Sequence, residues 1–470
     1  MALNAFWEKR REVCNAASNL DRDILTQKWL VFIARFVVMF FLTGSVKIGG
    51  ILFNNIASGD MSGALTGFML ILPYAIGRLC GPITSVLLTF CSFRLIGTIG
   101  GVLVGLGYVL IGLVASSPIL HIMFSIIAGL GFACLLLPAS LCLKEHFKDN
   151  YPAIMPLSMM GSYVGITILP PIMDLCRIAY GDSGTYIIYG ALCWNLIPCG
   201  LLLCSPVSSR EDQELKMVDE SHDDIDDELT EGYEEEGYEE VEQREEGENL
   251  SHHSGTTTNS FVQSAYLNLK EYVLLFTNVW FCIFFVLGNL RKIPADGWTL
   301  FLIPNVIEQG FFSVQAATVA SIGGFTGILG RVIAFYSFKV RLSPIFLYSV
   351  YYFVNGITFI LMQGVPWLAQ EYVPQFFGSA INGCLLSIQS GMTPGILVFI
   401  IESRYYKTAY GLLDFGNGVL TLVAGVVPGI FLDINGSFTF AFYLFGIISL
   451  FDGFLAMTLW ILVRRRRMEN

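Results

Sequence analysis

The stretch Trp29–Phe53, WLVFIARFVVMFFLTGSVKIGGILF, decides the fold class. It is about 25 residues long and almost wholly apolar, enough for one helix to cross the hydrocarbon core of a bilayer. Yet Lys47 stands in its outer third. A lone charge there costs roughly 2.5–3.5 kcal/mol on insertion scales, so its retention asks for a partner or a purpose. The residues ahead of the stretch are polar, with EKRRE near the start and no short apolar core before a small-residue cleavage site. The first span is therefore expected to act as an uncleaved targeting signal.

The same pattern recurs along the chain. Of its 470 residues, 54% are hydrophobic and 14% charged, against about 25% charged in soluble domains. The apolar residues gather in blocks long enough for membrane-spanning helices. Twelve spans are predicted, near 29–53, 66–90, 95–114, 118–142, 153–176, 184–204, 273–306, 312–338, 344–362, 374–401, 408–432 and 437–463. This reads as an all-α membrane protein: a segment 1–28, a six-helix half 29–204, a polar linker 205–270, a second six-helix half 271–463 and a basic tail 464–470. Six spans, a linker and six spans is the layout of a pseudo-twofold transporter, whose solute site lies near the midplane between the halves. Gly-Arg recurs in spans two (AIGRLCG) and eight (ILGRVIA), a short internal echo.

Charge predicts the orientation. The N-terminal segment, the even-numbered loops, the linker and the tail hold about 20 of the 27 Lys and Arg residues. The opposite loops hold at most Arg177. By the positive-inside rule both termini and residues 205–270 are expected in the cytoplasm; the plasma membrane is the expected location. The linker carries about 20 acidic residues against three basic ones over 205–250, so the low pI reports this segment and says little about the membrane body. Its composition is that of a solvated, disordered connector, with docking or regulation as the alternative.

Seven basic residues remain for the membrane: Arg35, Lys47, Arg78, Arg177, Arg291, Lys292 and Arg331. Arg35 and Arg177 lie near predicted helix ends and are expected to snorkel to the interface. Arg78 lies mid-span, about 18 Å from either face at the helical rise. Lys47 and Arg331 lie about 9 and 10 Å from the nearest helix end. The acids available to them are Asp174, Asp296, Asp414 and Asp452, of which Asp452 and Asp296 are deepest. Deep positive charge outnumbers deep negative charge. An unpaired buried cation is expensive, so the sequence points to an aqueous cavity that accepts an anion, with Lys47, Arg331 and Arg78 as contacts and a structural ion pair as the rival reading, strongest for Arg78. The stretch GNLRKIPADGWTLFLIP, Gly288 to Pro304, leaves two readings open. Either it is a short outer loop with an interfacial Trp298, or a helix broken by Pro294 that places Arg291 and Lys292 mid-membrane. Lys292 and Asp296 have helical i,i+4 spacing, although Pro294 between them weakens the case for a pair.

No catalytic constellation is present. The five histidines avoid the span centres, and no P-loop, HExxH or GxSxG occurs. The eleven cysteines form no CxxC pair and read as packing residues. No metal, cofactor, nucleic-acid partner or ATP hydrolysis is expected. The charges are scattered over several helices and form no ring, which argues against a channel.

Several stretches resemble the monocarboxylate transporter family of the major facilitator superfamily. GPITSVLLTFCSFRLIGTIGG is similar to its span two-to-three region, PAIMPLSMMGSYVGITILPPI to its span four-to-five signature, AATVASIGGFTGILGRVIAF to its span eight, and AYGLLDFGNGVLTLVAGVVPGIFLDINGSFTFAFYLFGIISL to its last two spans. The resemblance implies a twelve-helix alternating-access carrier of monocarboxylates or other organic solutes. Its span-one lysine falls on Lys47 and its span-eight arginine on Arg331. The family's acidic span-one opening is replaced by ILTQKWLV, and the aspartate that proton-coupled members carry one turn before the arginine is replaced by Gly327. A proton relay would then fall to Asp296 or Asp174. The resemblance also allows for a single-span glycoprotein partner. The expectation is a secondary or facilitative transporter of small organic anions, with Lys47, Arg331, Arg78, Arg291 and Lys292 as substrate contacts. The rivals are a facilitator of amino acids or other zwitterions and a non-transporting sensor that signals through the acidic linker.

Overall fold

The computed structural model describes residues 2–57, 62–114, 117–204, 273–364, 368 and 370–469, with the backbone alone described for residues 2–25, 54–57, 149, 313, 363, 364 and 466–469. The acidic linker 205–270 lies outside these residues. The first half contains α1 (Ala2–Ala57), α2 (Gly63–Leu79), α3 (Gly81–Leu87), α4 (Phe93–Leu113), α5 (Pro118–Phe147), α6 (Tyr151–Ser158), α7 (Met160–Cys193) and α8 (Leu196–Leu201). The second contains α9 (Val279–Leu290), α10 (Lys292–Glu308), α11 (Ser313–Ser337), α12 (Pro344–Gly364), α13 (Tyr372–Ile400), α14 (Tyr406–Asn435) and α15 (Thr439–Glu469).

Among the described residues, ten helical stretches are long and apolar enough to cross a membrane. One of them, Tyr151–Leu201, folds back at Gly181, whose φ of 70° suits glycine and few other residues, and so supplies two crossings. The broken pair α9–α10 supplies another. These make the twelve crossings expected. Large apolar side chains such as Leu113, Ile119, Phe451 and Phe454 stay exposed on the outside of the bundle, where lipid would cover them.

Two spans are interrupted where the chemistry lies. Pro294 has no amide hydrogen to offer the carbonyl of Leu290, and the helix breaks at Arg291 between α9 and α10. Asn278 caps the start of α9 by accepting from the amides of Trp280 and Phe281. Of the two readings of this segment the buried one holds, since Arg291 and Lys292 are 6% and 3% exposed. Likewise Pro82 cannot donate to the carbonyl of Arg78, and the second crossing is interrupted between α2 and α3.

The halves meet most extensively where α2 packs on α14, with further contacts of α7 and α6 on α11, α6 on α13, α3 on α14 and α1 on α10. The first is a close backbone contact: a Cβ on Gly67 would collide with the carbonyl oxygen of Gly425. Contacts between the halves close both faces. On the face that carries the termini, the Tyr151 and Tyr406 hydroxyls are 2.9 Å apart and Lys144 Nζ donates to the Ser403 carbonyl at 3.3 Å. On the far face, Asp433 accepts from the amide of Gly63 at 2.8 Å, and Phe53, Phe301 and Phe438 stack edge to face. The conformation is therefore occluded.

Candidate functional site

A cavity of about 60 Å³ lies between the halves, room for several water molecules or a small solute. The first half contributes Thr43, Tyr74, Arg78, Ser162 and Tyr163 to its wall; the second contributes Arg291, Lys292, Asp296, Arg331, Ser390 and Asp414.

One side of the wall is a network in which each carboxylate is paired with a cation. Arg78 forms an ion pair with Asp414 at 2.9 Å and donates from its other terminal nitrogen to the Tyr74 hydroxyl at 3.1 Å. Lys292 pairs with Asp296 at 2.6 Å and donates to the same hydroxyl at 3.1 Å. The other Asp296 oxygen accepts from Thr421. Tyr74 thus bridges two ion pairs, and both cations also lie 4.9 Å from its ring. The doubted Lys292–Asp296 pair forms after all. Pro294 lies in the first turn of α10, where an amide hydrogen is not needed, so i,i+4 geometry survives across it.

The other side carries cations without carboxylates. Arg331 donates to Ser390 Oγ at 3.0 Å and lies 5.2 Å from the Tyr163 ring, while its Nε and second terminal nitrogen have no hydrogen-bond partner. Arg291 Nε has none either. Neither guanidinium is in a salt bridge among the described residues. Four basic residues (Arg78, Arg291, Lys292, Arg331) face two acidic ones (Asp296, Asp414) in the wall, a surplus of two positive charges. Bare guanidinium donors in a low-dielectric wall suit a planar carboxylate, which can accept two parallel hydrogen bonds.

Other expected residues lie elsewhere. Lys47 is fully buried but is absent from the cavity wall; its Nζ has no hydrogen-bond partner and lies 5.2 Å from the Trp298 ring. Thr43, one turn earlier on α1, is the residue of that helix that reaches the cavity. Asp174 does not approach it. Its half-exposed side chain pairs with Arg177 at 2.8 Å, which removes it as a relay within the cavity. Arg35 does not snorkel. The helix continues well beyond it towards the terminus, and the guanidinium turns inward to donate to the Leu136 carbonyl at 2.8 Å. Sequence reasoning missed Tyr74, whose i,i+4 spacing to Arg78 was the available signal, and Tyr163. Tyr163 fills the room left at Gly327: a Cβ there would collide with its ring. The ring stands where the family's aspartate would project and covers Arg331 instead.

The Major Facilitator Superfamily model matches residues 29–403, most of the chain. The chain belongs to the Major Facilitator Superfamily. This facilitator is a multi-pass membrane transporter built on the twelve-helix fold. It is 24% identical to mouse monocarboxylate transporter 12 over 404 residues, covering 83% of this chain and 76% of that one. It is 23% identical to mouse monocarboxylate transporter 6 over 432 residues (88% and 83%), and 24% identical to human monocarboxylate transporter 14 over 457 residues (89% and 88%). Among solved structures, the crystal structure of a mutant of the nucleoside transporter NupG superposes with a TM-score of 0.60 at 15% identity, covering 92% of this chain and 99% of that one, a likeness of fold alone. The facilitator is a divergent relative of the monocarboxylate transporters.

Proposed function

We propose that this facilitator carries small organic anions, monocarboxylates or close relatives, by alternating access, with the carboxylate held between Arg331 and Arg291. The observation that carries this reading is the wall itself: two guanidinium groups without carboxylate partners beside a network in which every carboxylate already has a cation. A zwitterion's ammonium group would have to share a carboxylate that already faces a cation, since Asp296 is held on both oxygens and Asp414 on one. Relatives named as monocarboxylate transporters support the same class. Lys47 reaches the solute only when α1 parts from α10 on the far face, where Gly50 now packs on the Leu300 carbonyl. The charge distribution favours both termini and residues 205–270 on the cytoplasmic side.

The test is uptake of radiolabelled lactate, pyruvate, benzoate and alanine into proteoliposomes. Arg331→Ala removes a charge-assisted contact of about 1.5–3 kcal/mol, so carboxylate affinity should fall roughly 10- to 150-fold. Lys47→Ala should slow uptake while disturbing affinity less. Carboxylate uptake indifferent to Arg331→Ala, or alanine carried in preference, would overturn this assignment. Deleting 205–250 should leave transport intact; loss of an output with no transport in the parent chain would favour a sensor.

A further inference from the structure

Asp452 is the deep acidic residue of the membrane body that the solute site does not use. It lies on α15, is 0% exposed, and neither carboxyl oxygen has a hydrogen-bond partner. A carboxylate held without donors in a protein wall costs several kcal/mol, and such a group takes up a proton instead. α15 packs on α12, which carries Tyr348 and Tyr352, and on α9 and α10, whose junction carries Arg291. The carboxylates of α10 and α14, Asp296 and Asp414, are already taken by Lys292 and Arg78.

A chain of hydroxyls leads from the cavity towards Asp452 and ends at Tyr352, which makes no hydrogen bond to the carboxyl group in this conformation. Tyr352 donates to the Tyr348 hydroxyl at 3.0 Å, and that hydroxyl is 2.7 Å from Thr393 Oγ1. Thr393 lines the cavity together with Arg291. Arg291 therefore stands between two claimants: a solute carboxylate on the cavity side and Asp452 behind it.

We infer that Asp452 is the proton-binding residue of this carrier, reached through Thr393, Tyr348 and Tyr352, and that proton and anion binding are linked because ionised Asp452 competes with the solute for Arg291. The inference rests on the organic-anion reading of the cavity. A proton taken from cavity water passes along the hydroxyls to Tyr352 and crosses to Asp452 when the carboxyl group rotates into hydrogen-bond reach of that hydroxyl, and it returns by the same path; the carboxyl group alternates between neutral acid and carboxylate, and no other bond changes. Protonation frees Arg291 for the solute. Loss of the proton returns Arg291 to Asp452 and releases the solute, so each ligand raises the affinity for the other.

Two measurements test it. The first is infrared difference spectroscopy of purified protein, which needs no solute. The carbonyl stretch of a protonated carboxyl group should be present at neutral pH and disappear in Asp452→Asn; identical spectra overturn the inference. The second uses proteoliposomes with pyruvate and benzoate as probes and an inward proton gradient. With one proton per solute, a gradient of about one pH unit supports up to about tenfold accumulation. Asp452→Asn should bring the internal concentration only to the external one, about onefold. Tenfold accumulation retained in the variant, or wild-type uptake indifferent to the gradient, overturns the coupling while leaving the anion reading in place. Uptake of neither probe by wild type overturns the anion reading, and the infrared result then decides Asp452 by itself.

Discussion

Removing Arg78 should destabilise the transporter more than removing its partner. The pair joins α2 to α14 across the two halves, with side-chain exposures of 8% and 5%. In Arg78→Met, Asp414 keeps only a 3.5 Å contact from Asn417 on one oxygen, and its other oxygen has no partner. Orphaning a buried charge typically costs 3–5 kcal/mol; cavity water at this wall places the cost at the lower end, about 3 kcal/mol. In Asp414→Asn, Arg78 retains the Tyr74 hydroxyl and the face of its ring. That loss should be about 1–2 kcal/mol. The double variant Arg78→Met/Asp414→Asn leaves no orphaned charge and should return to within about 1 kcal/mol of wild type. The cycle then shows a coupling energy of about 3–4 kcal/mol. Unfolding in detergent, followed by labelling of the buried thiols Cys142 and Cys193, gives all four stabilities. Single-variant costs that simply add, within about 0.5 kcal/mol, would refute the pair as a structural unit. Arg78→Met that is as stable as wild type yet carries nothing would make Arg78 a solute ligand first.

Two further outcomes follow from close packing. Gly327→Asp should abolish transport because the new side chain collides with Tyr163, and adding Tyr163→Ala should restore part of it; a fully active single variant would show that Tyr163 moves freely. Gly67→Val should overpack the seam with Gly425 by about 1–3 kcal/mol, favouring conformations open on the far face. Thr43→Cys in that background should then react severalfold faster with an impermeant maleimide added from the side opposite the termini; an unchanged rate would mean that this seam does not gate the far face.

The membrane class, the crossings and the depth of the charges are legible in the sequence, because the bilayer imposes length and hydropathy on each span separately. The broken seventh crossing is half legible. Pro294 announces a break, but whether Arg291 and Lys292 then lie in water or in the wall depends on where the helix starts, and Asn278 fixes that start. Lys292–Asp296 is local and could be read from spacing. Arg78–Asp414 could not, since 336 residues separate its members and only the meeting of the two halves joins them. Lys47 shows the limit of depth as a guide. Its place along α1 is right for a solute contact, yet the rotation of the helix presents Thr43 to the cavity and turns the lysine towards Trp298. Arg35 misleads for a simpler reason: the helix does not end where the apolar run does.

The two surplus positive charges of the cavity wall also bear on the membrane potential. Moving one elementary charge through the full field is worth about 2.3 kcal/mol per 100 mV. As the halves rock, the wall exchanges one aqueous face for the other, and its surplus senses part of that field. A bound monoanion cancels one of the two charges. In the empty carrier ionised Asp452 cancels one charge in the same way, so the loaded and the empty forms should reorient with about the same voltage dependence, and uptake of one proton with one monoanion should carry no net current.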